Sequence, residues 1–276
     1  MPLPPPETQL AYLGFQRHNP HPFLRPYVQS YWSFRRATPL AVFHEEYMHP
    51  TGGFGIVFNF GDTLHLDTET VAAPVFLDGS NTVSRKMGFQ GQVEVLGVRF
   101  HEGGAYPFLG IPMHELRNAI ALLDALNNPE LLEIHARLQE AKTLPAQIRL
   151  LDEWLLAQLV GGKEQNLLIP ASLKMQRTTG GQLPIPELAQ ELAISQRQLE
   201  RLYQHQVGMS PKQYAQLQRV ENARVALKKM RGQTTTRLGL ELGFYDQAHF
   251  IREFSDVVGI TPYAYLKRGR IFPKER

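Results

Sequence analysis

The chain has 276 residues and a mass of 31.4 kDa, a length that favours two domains over one. Hydrophobic residues make up 43% of it and charged residues 20%, as in a folded globular protein. It contains no cysteine, which excludes a disulfide framework, a thiolate zinc site and a cysteine nucleophile. No apolar run approaches the ~18 residues needed to cross a bilayer, and residues 1–7 lack the basic and apolar regions of a secretion signal. We therefore expect a cytoplasmic protein that has no membrane partner.

The charge is distributed unevenly along the chain. Residues 182–276 carry 15 Lys and Arg against 9 Asp and Glu, a net charge of +6, whereas residues 1–181 carry 14 against 17, a net charge of −3. Duplex DNA is a polyanion whose counterions are released when Lys and Arg bind its phosphates. The basic C-terminal part therefore favours a nucleic-acid partner, although an ordinary basic surface explains the same charge balance.

The first part of the chain has the pattern of short strands and turns that is typical of an antiparallel β-structure. Short segments rich in β-branched and aromatic residues are bounded by Gly, Pro, Asn or Asp at 27–35, 55–62, 71–77 and 93–100. This spacing predicts a sandwich or a barrel, and a small barrel can hold one ligand. From Met113 the apolar period becomes helical, through Leu116, Ile120, Leu123 and Leu126 and on to about Leu159.

One aromatic and basic group of side chains is the candidate ligand site of this front part. Its members are Trp32, Phe58, Phe60, Arg99 and His101. Inside a barrel they would bind an anionic or aromatic effector. Strand alternation, however, sends Arg99 and His101 to one face and Phe100 to the other. A core position for Phe100 therefore favours a solvated Arg99.

Other chemistry has weaker support in the sequence. Residues 44–49 contain two His and two Glu, but no His-x-His followed by a Glu and a His forms a cupin-type metal site. Gly103 and Gly104 lack the lysine and the spacing of a P-loop, so a turn explains them better. We predict no catalytic residue, no metal and no cofactor. The alternative is a cupin-like enzyme domain fused to a DNA reader.

The C-terminal part of the chain repeats a short pattern. Residues of the first copy recur in the second at an offset of 50 and, after one extra residue in the turn, at an offset of 51. They are Leu188, Glu191, Leu192, Gln196, Arg201, Val207, Gly208, Pro211 and Tyr214, which recur as Leu238, Glu241, Leu242, Gln247, Arg252, Val258, Gly259, Pro262 and Tyr265. Such self-similarity indicates a duplication.

Each copy is predicted to form a short helix, a tight turn and a longer helix. Ser195 begins the longer helix of the first copy with Gln198 at capping-box spacing, and Asp246 can cap the longer helix of the second. Gly208 and Gly259 stand where a helix end places a glycine. This arrangement is a helix-turn-helix present twice.

A connecting helix is predicted between the two copies. Ser210 and Pro211 open it, with Pro where the missing amide is harmless, and it runs to about Met230. A helix of ~20 residues spans about 30 Å, close to the ~34 Å that separates successive turns of one DNA major groove. The connector is therefore predicted to hold two reading helices one turn apart.

With these residues the chain resembles the AraC/XylS family of transcription regulators, whose DNA-binding domain is a paired helix-turn-helix joined by a long helix. The motifs that carry the resemblance are Tyr214-x4-Arg219-Val220-x2-Ala223-Arg224, Leu242-Gly243-Phe244-Tyr245-Asp246-Gln247-x-His249-Phe250-x-Arg252-x-Phe254 and Gly259-Ile260-Thr261-Pro262-x2-Tyr265. A single helix-turn-helix pattern is weakly specific, whereas these three motifs together are highly specific.

The front part resembles an uncharacterised N-terminal domain that often precedes AraC-type DNA-binding domains. Its motifs lie at residues 24–32, 55–62 and 96–116 and include Gly55-Ile56-Val57-Phe58-Asn59-Phe60-Gly61-Asp62. The two resemblances imply a transcription regulator, with activation through RNA polymerase as the family expectation. They also imply a front domain that senses a small-molecule effector, forms a homodimer, or does both. The alternative is a front domain that only dimerises.

The predicted fold class is α+β. A β-rich sensor or dimerisation domain with a helical extension is expected at residues 10–160, a linker at 161–181, and an all-α DNA-binding domain of two helix-turn-helix units joined by a long helix at 182–270. The outward faces of the longer helices give the predicted contacts with double-stranded DNA. These are Gln196, Arg197, Glu200, Arg201, Gln204, Gln247, Ala248, His249 and Arg252. The alternative is that they form ordinary solvated faces.

Overall fold

A computed structural model describes residues 8–122, 129–229 and 235–271 of the chain. Residues 1–7, the predicted helical positions Leu123 and Leu126, and the predicted helix end at Met230 lie outside these ranges. Among the described residues, no helix combines the length and the apolar character that crossing a membrane requires.

The front domain is a sandwich of two antiparallel sheets. Its strands are, in chain order, β1 (Gln16–His18), β2 (Val28–Arg35), β3 (Leu40–Met48), β4 (Gly55–Asn59), β5 (Leu64–Leu66), β6 (Glu69–Val71), β7 (Val75–Asp78), β8 (Arg85–Gly91), β9 (Glu94–Phe100) and β10 (Ile120–Leu122). One sheet has the order β1-β2-β9-β4-β7-β10 and the other the order β3-β8-β5-β6. This arrangement confirms the predicted β-rich domain.

Alternation along the central strands buries the six-stranded sheet on both faces. Val57 of β4 and Val95 of β9 belong to the apolar cluster between the two sheets. Ile56 of β4 and Val98 and Phe100 of β9 belong to a second cluster on the opposite face. Because side chains alternate along a strand with a period of two, one strand supplies both cores. The space between the sheets is thus occupied by apolar side chains.

Helices cover the outer face of the six-stranded sheet. They are α1 (Tyr106–Leu109), α2 (Glu130–Glu140) and α3 (Leu144–Gly161), and short 3-10 helices lie at Thr8–Leu13, Pro22–Leu24 and Met113–Leu116. Leu131, Ile134 and Leu138 of α2 pack with Leu151 and Leu155 of α3 against this face. The helical extension predicted up to about Leu159 is confirmed for these two helices.

The helical period predicted through Ile120 is wrong. Ile120–Leu122 forms β10, which pairs antiparallel with β7 through Ile120 and Asp78, Ala121 and Leu77, and Leu122 and Phe76. Without β10, β7 would be the edge of the sheet and would leave a row of backbone N–H and C=O groups unpaired. Backbone pairing with β7 therefore determines the conformation of Ile120–Leu122, rather than the helical spacing of apolar residues in this segment.

The C-terminal part of the described chain is helical. Its helices are α4 (Leu168–Thr178), α5 (Ile185–Glu191), α6 (Gln196–Gln206), α7 (Pro211–Lys229), α8 (Thr235–Glu241), α9 (Gln247–Val258) and α10 (Pro262–Ile271). The Ser195 hydroxyl accepts a hydrogen bond from the Gln198 amide at 3.2 Å, and the Asp246 carboxylate accepts one from the His249 amide at 2.7 Å. Both predicted N-caps are therefore confirmed, and the helix pairs α5–α6 and α8–α9 form the two predicted units.

The connecting helix α7 begins with a reciprocal cap. The Gln213 amide donates to the Ser210 hydroxyl at 3.0 Å, and the Ser210 amide donates to the Gln213 side chain at 2.9 Å, which satisfies two otherwise unpaired donors. Gly208 and Gly259 both adopt a left-handed conformation, with φ of +88° and +81°. The helix ends predicted at these two glycines are confirmed.

Helix α4 lies inside the predicted linker at residues 161–181. Its residues Ile169 and Leu173 belong to the core of the C-terminal helices, where they pack with Tyr203 and Tyr214. We therefore assign α4 to the C-terminal unit. The segment that joins the two parts is then short, and the other predicted domain bounds stay predictions.

Candidate nucleic-acid interface

Helix α6 separates an apolar face from a polar one. Leu199 and Tyr203 are fully buried in the core of the C-terminal unit. The predicted reading residues lie on the other side: Gln196, Arg197, Glu200 and Arg201 are exposed and Gln204 is half-buried. The Gln204 amide donates to the Glu200 carboxylate at 3.0 Å, one turn away. The face that the repeat pattern predicts to be outward is therefore outward in the structure.

Helix α9 repeats this division. Phe250 and Phe254 are fully buried, whereas Gln247, Ala248 and Arg252 are exposed. The aromatic side chains anchor the helix, because Phe250 contacts both Phe254 and Phe244 with ring centroids 5.7 and 4.9 Å apart. His249 differs from these three exposed residues of the same helix, since it is half-buried and its ring contacts the Tyr245 amide and the Glu253 carboxylate.

The two turns share a backbone conformation as well as a sequence pattern. Ala193 in the turn between α5 and α6 has φ of +53°, and Gly243 in the turn between α8 and α9 has φ of +83°. These residues occupy equivalent positions 50 residues apart. A left-handed conformation is unfavourable for alanine, so the same tight turn is retained in the first copy at a cost in strain. The recurring turn supports the duplication.

Two arginines stand at equivalent positions on the outward faces. Arg201 of α6 and Arg252 of α9 are both exposed, and within the described residues neither guanidinium has a hydrogen-bond or ion-pair partner. An arginine with no internal partner can form two parallel hydrogen bonds with a guanine edge or hold a phosphate. The geometry therefore leaves both groups available to an anionic ligand.

The front domain contacts the C-terminal end of each of these helices. At the end of α6, the Tyr106 hydroxyl lies 3.1 Å from Nε2 of His205, and the Asn166 amide of the joining segment donates to the Gln206 side chain at 3.0 Å. At the end of α9, the Ser84 amide donates to the Val257 carbonyl at 2.7 Å. Sequence reasoning missed these contacts, which join segments far apart in the chain.

Ser84 of the front domain caps the C-terminal end of α9. The last four carbonyl groups of a helix have no partner within the helix. The Ser84 hydroxyl donates a second hydrogen bond to the Val257 carbonyl at 3.1 Å, and Nδ1 of His49 lies 2.7 Å from the same hydroxyl. The position of α9 is thereby linked to the loop that precedes β8.

The structure does not bring the five predicted ligand residues together. Phe58 and Phe60 pack in the core under α2 and α3, whereas Trp32 packs on the opposite face of the same sheet. Arg99 points away from buried Phe100 and donates to the Thr51 hydroxyl at 2.6 Å. The structure therefore places these residues on different faces of the sheet, because alternation along the strands separates them.

His101 lines a cleft between the two parts of the chain. The cleft has a volume of about 130 Å³, and its walls include His101 and Glu102 of the front domain, Gln165 of the joining segment, and Leu173 and Arg177 of α4. Glu102 accepts a hydrogen bond from Arg177 at 3.0 Å. Burial lowers the pKa of the His101 imidazole. Of the five predicted ligand residues, His101 lines this cleft, beside the charged groups of Glu102 and Arg177. A second, polar cleft beside Arg85 is lined by none of the five.

The His and Glu residues at 44–49 have other partners. Glu45 pairs with Lys86 at 2.9 Å, and Glu46 accepts a hydrogen bond from the Tyr12 hydroxyl at 2.8 Å. Across the described ranges, no group of three or more His, Asp or Glu side chains is arranged to hold a metal ion.

Comparison with known families covers both parts of the chain. Residues 16–121 match a domain of unknown function (DUF6597), and residues 188–268 match the profile of a helix-turn-helix domain. The second match begins in α5 and ends in α10, so it contains both helix-turn-helix units and the connecting helix α7.

Two transcriptional regulators are similar to part of the chain. The HTH-type transcriptional regulator ArgR of Pseudomonas aeruginosa is 31% identical over 101 residues, which cover 37% of this chain and 30% of the relative. An uncharacterized HTH-type transcriptional regulator of Haemophilus influenzae is 30% identical over 83 residues, which cover 30% of this chain and 28% of the relative. The chain thus spans less than a third of the length of either relative.

Solved structures resemble the chain more weakly in sequence. ToxT from Vibrio cholerae is 10% identical with a TM-score of 0.46, and the alignment covers 86% of this chain and 98% of ToxT. The C-terminal domain of AraT, a response regulator from Geobacillus stearothermophilus, is 18% identical with a TM-score of 0.37 and covers 41% of this chain and 94% of that domain.

Proposed function

We propose that this protein is a sequence-specific, DNA-binding transcription regulator of the AraC family that reads promoter DNA with α6 and α9. The observation that carries the proposal is the pair of outward faces on two capped helices. Each face has an arginine at the equivalent position, Arg201 or Arg252, that has no partner among the described residues. The region that contains them is basic, with a net charge of +6 over residues 182–276. Acting on chromosomal DNA, the protein would work in the cytoplasm of a bacterial cell.

The side chains on these faces suit the edges of base pairs. Arg can bind O6 and N7 of guanine in two parallel hydrogen bonds, and Gln can do the same with N6 and N7 of adenine. The proposed contacts are Gln196, Arg197, Glu200, Arg201, Gln204, Gln247, Ala248 and Arg252. The exposed Lys228 near the end of α7 would contact phosphate or solvent, which contributes affinity without sequence preference.

Regulation would act through the contacts between the front domain and the helix ends. Because Tyr106 contacts the end of α6 and Ser84 caps the end of α9, a change in the front domain alters both proposed reading helices. A small molecule in the cleft beside His101 would compete for the ion pair of Glu102 with Arg177. Such a ligand shifts the equilibrium between the arrangement with this ion pair and the arrangement without it only to the extent that it binds one of them more tightly.

Three further parts of the proposal rest on the resemblance to the AraC family. They are activation of transcription, contact with RNA polymerase, and assembly of two copies of the chain on DNA. Repression requires the same DNA contacts and is the alternative sign of regulation.

The first experiment is selection of bound DNA from the genome. The purified protein is incubated with fragmented genomic DNA at moderate salt, and the retained fragments are sequenced. The expected result is a small number of sites that carry two half-elements about one helical turn apart. Uniform, salt-sensitive retention without a shared sequence, with and without a cell extract as a source of effector, would contradict sequence-specific reading.

Matched substitutions then test the reading faces. Arg201→Ala and Arg252→Ala are each expected to weaken binding to a selected site by about 1 to 3 kcal/mol and to leave thermal unfolding nearly unchanged. Arg149→Ala on α3 removes an exposed arginine of the front domain and is the control for the loss of one positive charge. If the Arg149 variant weakens binding as much as the other two, the reading role is wrong.

A further inference from the structure

A chain of polar contacts joins the second helix-turn-helix unit to the connecting helix. The Tyr245 amide donates to Nδ1 of His249 at 3.1 Å, and Nε2 of His249 lies 3.1 Å from the Glu253 carboxylate. Glu253 in turn accepts three hydrogen bonds from Arg219 of α7, at 2.9, 3.0 and 3.2 Å. We call His249, Glu253 and Arg219 the tie.

The tie extends to the base of the first unit. Arg219 donates from Nη1 to the Gly181 carbonyl at 2.7 Å, and Gly181 lies in the loop that leads into α5. Gly243, in the turn of the second unit, packs so closely on Gln182 that an added Cβ would lie 2.6 Å from the Gln182 Cγ. One arginine therefore contacts α9 and the entrance of the first unit at the same time.

The ion pair within the tie is sheltered from water. The side chains of Arg219 and Glu253 are each 14% exposed, and the guanidinium lies over the ring of buried Phe244 at 5.9 Å. Two parallel hydrogen bonds between a guanidinium and a carboxylate fix geometry as well as charge. The Arg219–Glu253 contact therefore restricts how α9 sits on α7.

The contacts of His249 distinguish it from a group that reads DNA. Its Nδ1 accepts a backbone hydrogen bond, so its remaining ring proton is on Nε2 and points to Glu253. Both polar atoms of the ring are thus engaged inside the protein. The equivalent positions in the first copy are Gln198 and Leu202, so the first unit has no counterpart of this arrangement.

We propose that His249, Glu253 and Arg219 are positioning residues that hold the two recognition helices at one spacing, so that the protein accepts two half-elements only at that spacing. This inference rests on the proposed reading of DNA by α6 and α9. Under this inference His249 does not contact a base, and its side chain instead fixes the turn before α9. The affinity for a correctly spaced site then includes the gain from a preorganised pair of helices.

The test uses duplexes that carry the two selected half-elements with the spacing changed by one or two base pairs. Each added base pair displaces one half-element by ~3.4 Å along the axis and rotates it about the duplex. Wild-type protein is expected to bind the native spacing far better than the altered ones. Glu253→Gln and Arg219→Lys are expected to reduce that ratio of affinities by about 2- to 30-fold. Unchanged ratios in both variants would overturn the proposal.

A second series separates positioning from reading. In His249→Gln, binding is expected to weaken evenly over all single base-pair substitutions in the site, whereas Arg252→Ala relaxes discrimination at particular base pairs. Gln198→Ala, at the position equivalent to His249 in the first copy, is expected to leave the spacing ratio unchanged. Relaxed discrimination at a single base pair in His249→Gln would show that His249 reads that base pair, and the positioning role would be wrong.

A third measurement tests the tie in the absence of DNA. Hydrogen exchange of the α9 amides in the full chain reports how firmly α9 is held. Glu253→Gln is expected to speed that exchange while exchange in α6 stays unchanged, and equal exchange in the two proteins would overturn the tie itself. If wild-type protein selects no sequence but this difference is found, the proposed function fails and the tie stands as a structural feature.

Discussion

The ion pair between Glu102 and Arg177 yields a prediction about which partner is costlier to remove. Glu102 lies in the loop after β9 and Arg177 in α4, so the 3.0 Å contact joins the front domain to the C-terminal unit. The Glu102 side chain is 11% exposed and the Arg177 side chain 44% exposed. Removing the arginine leaves a carboxylate that water reaches poorly, whereas removing the carboxylate leaves a guanidinium that water solvates.

The expected costs follow from this asymmetry. A hydrogen bond to a charged group contributes about 1.5 to 3 kcal/mol, and the exposure of Arg177 places this pair near the lower end of that range. Arg177→Met also leaves the Glu102 charge unpaired, so we expect it to cost about 2 to 3 kcal/mol. Glu102→Gln retains the shape and an acceptor, and we expect a cost of about 1 kcal/mol or less.

Urea unfolding of the full chain measures both costs, with circular dichroism and tryptophan fluorescence as two probes. The double variant Glu102→Gln, Arg177→Met is expected to be no less stable than Arg177→Met alone, because the unpaired charge is removed with its partner. If Glu102→Gln costs as much as Arg177→Met, burial of the carboxylate does not determine the energetics, and the reasoning from exposure is refuted.

Two more outcomes are expected from changes in the front domain. In Gly97→Ala the new Cβ would lie 2.1 to 2.5 Å from ring atoms of Trp32, so we expect the free energy of unfolding to fall by about 1 to 3 kcal/mol and the tryptophan fluorescence to change. The control is Gly161→Ala, in which the new Cβ has no heavy atom within 4 Å. Equal stability of the two variants would contradict the close packing of Gly97 on Trp32. Burial lowers the pKa of His18 and of His101 below the 6.5 of a free imidazole, so the unfolded chain binds protons more readily than the folded one. The free energy of unfolding that these two residues contribute is therefore fully present above pH 6.5 and is lost as the pH falls through their lowered pKa values. Urea titrations at several pH values should show this slope flatten in the double His→Asn variant, and an unchanged slope would exclude these two residues as its source.

The duplicated unit could be predicted because its signals are local in the chain. A serine or aspartate before an apolar period, and a glycine after it, fix the ends of α6 and α9 through backbone groups a few residues away. Ser195, Asp246, Gly208 and Gly259 all take the predicted roles. The outward position of Arg201 and Arg252 follows from the same period of 3.6 residues.

The front domain could be predicted as a class but not in its details. Alternation in β4 and β9 indicates strands, yet it does not say which face receives the helices and which the second sheet. The five predicted ligand residues therefore separated, with Phe58 under α2 and α3 and Trp32 between the sheets. Ile120 illustrates the same limit, because its pairing with β7 depends on an edge that only the assembled sheet creates.

Contacts between distant segments explain why two copies of one pattern are held differently. The end of α6 contacts Tyr106 through His205, while the end of α9 is capped by Ser84 and its side is held by Arg219. None of these partners lies within the repeated pattern, so the duplication alone cannot place one unit relative to the other. The sequence encodes two similar helix-turn-helix units, and contacts with the front domain and the connecting helix determine the position of each unit.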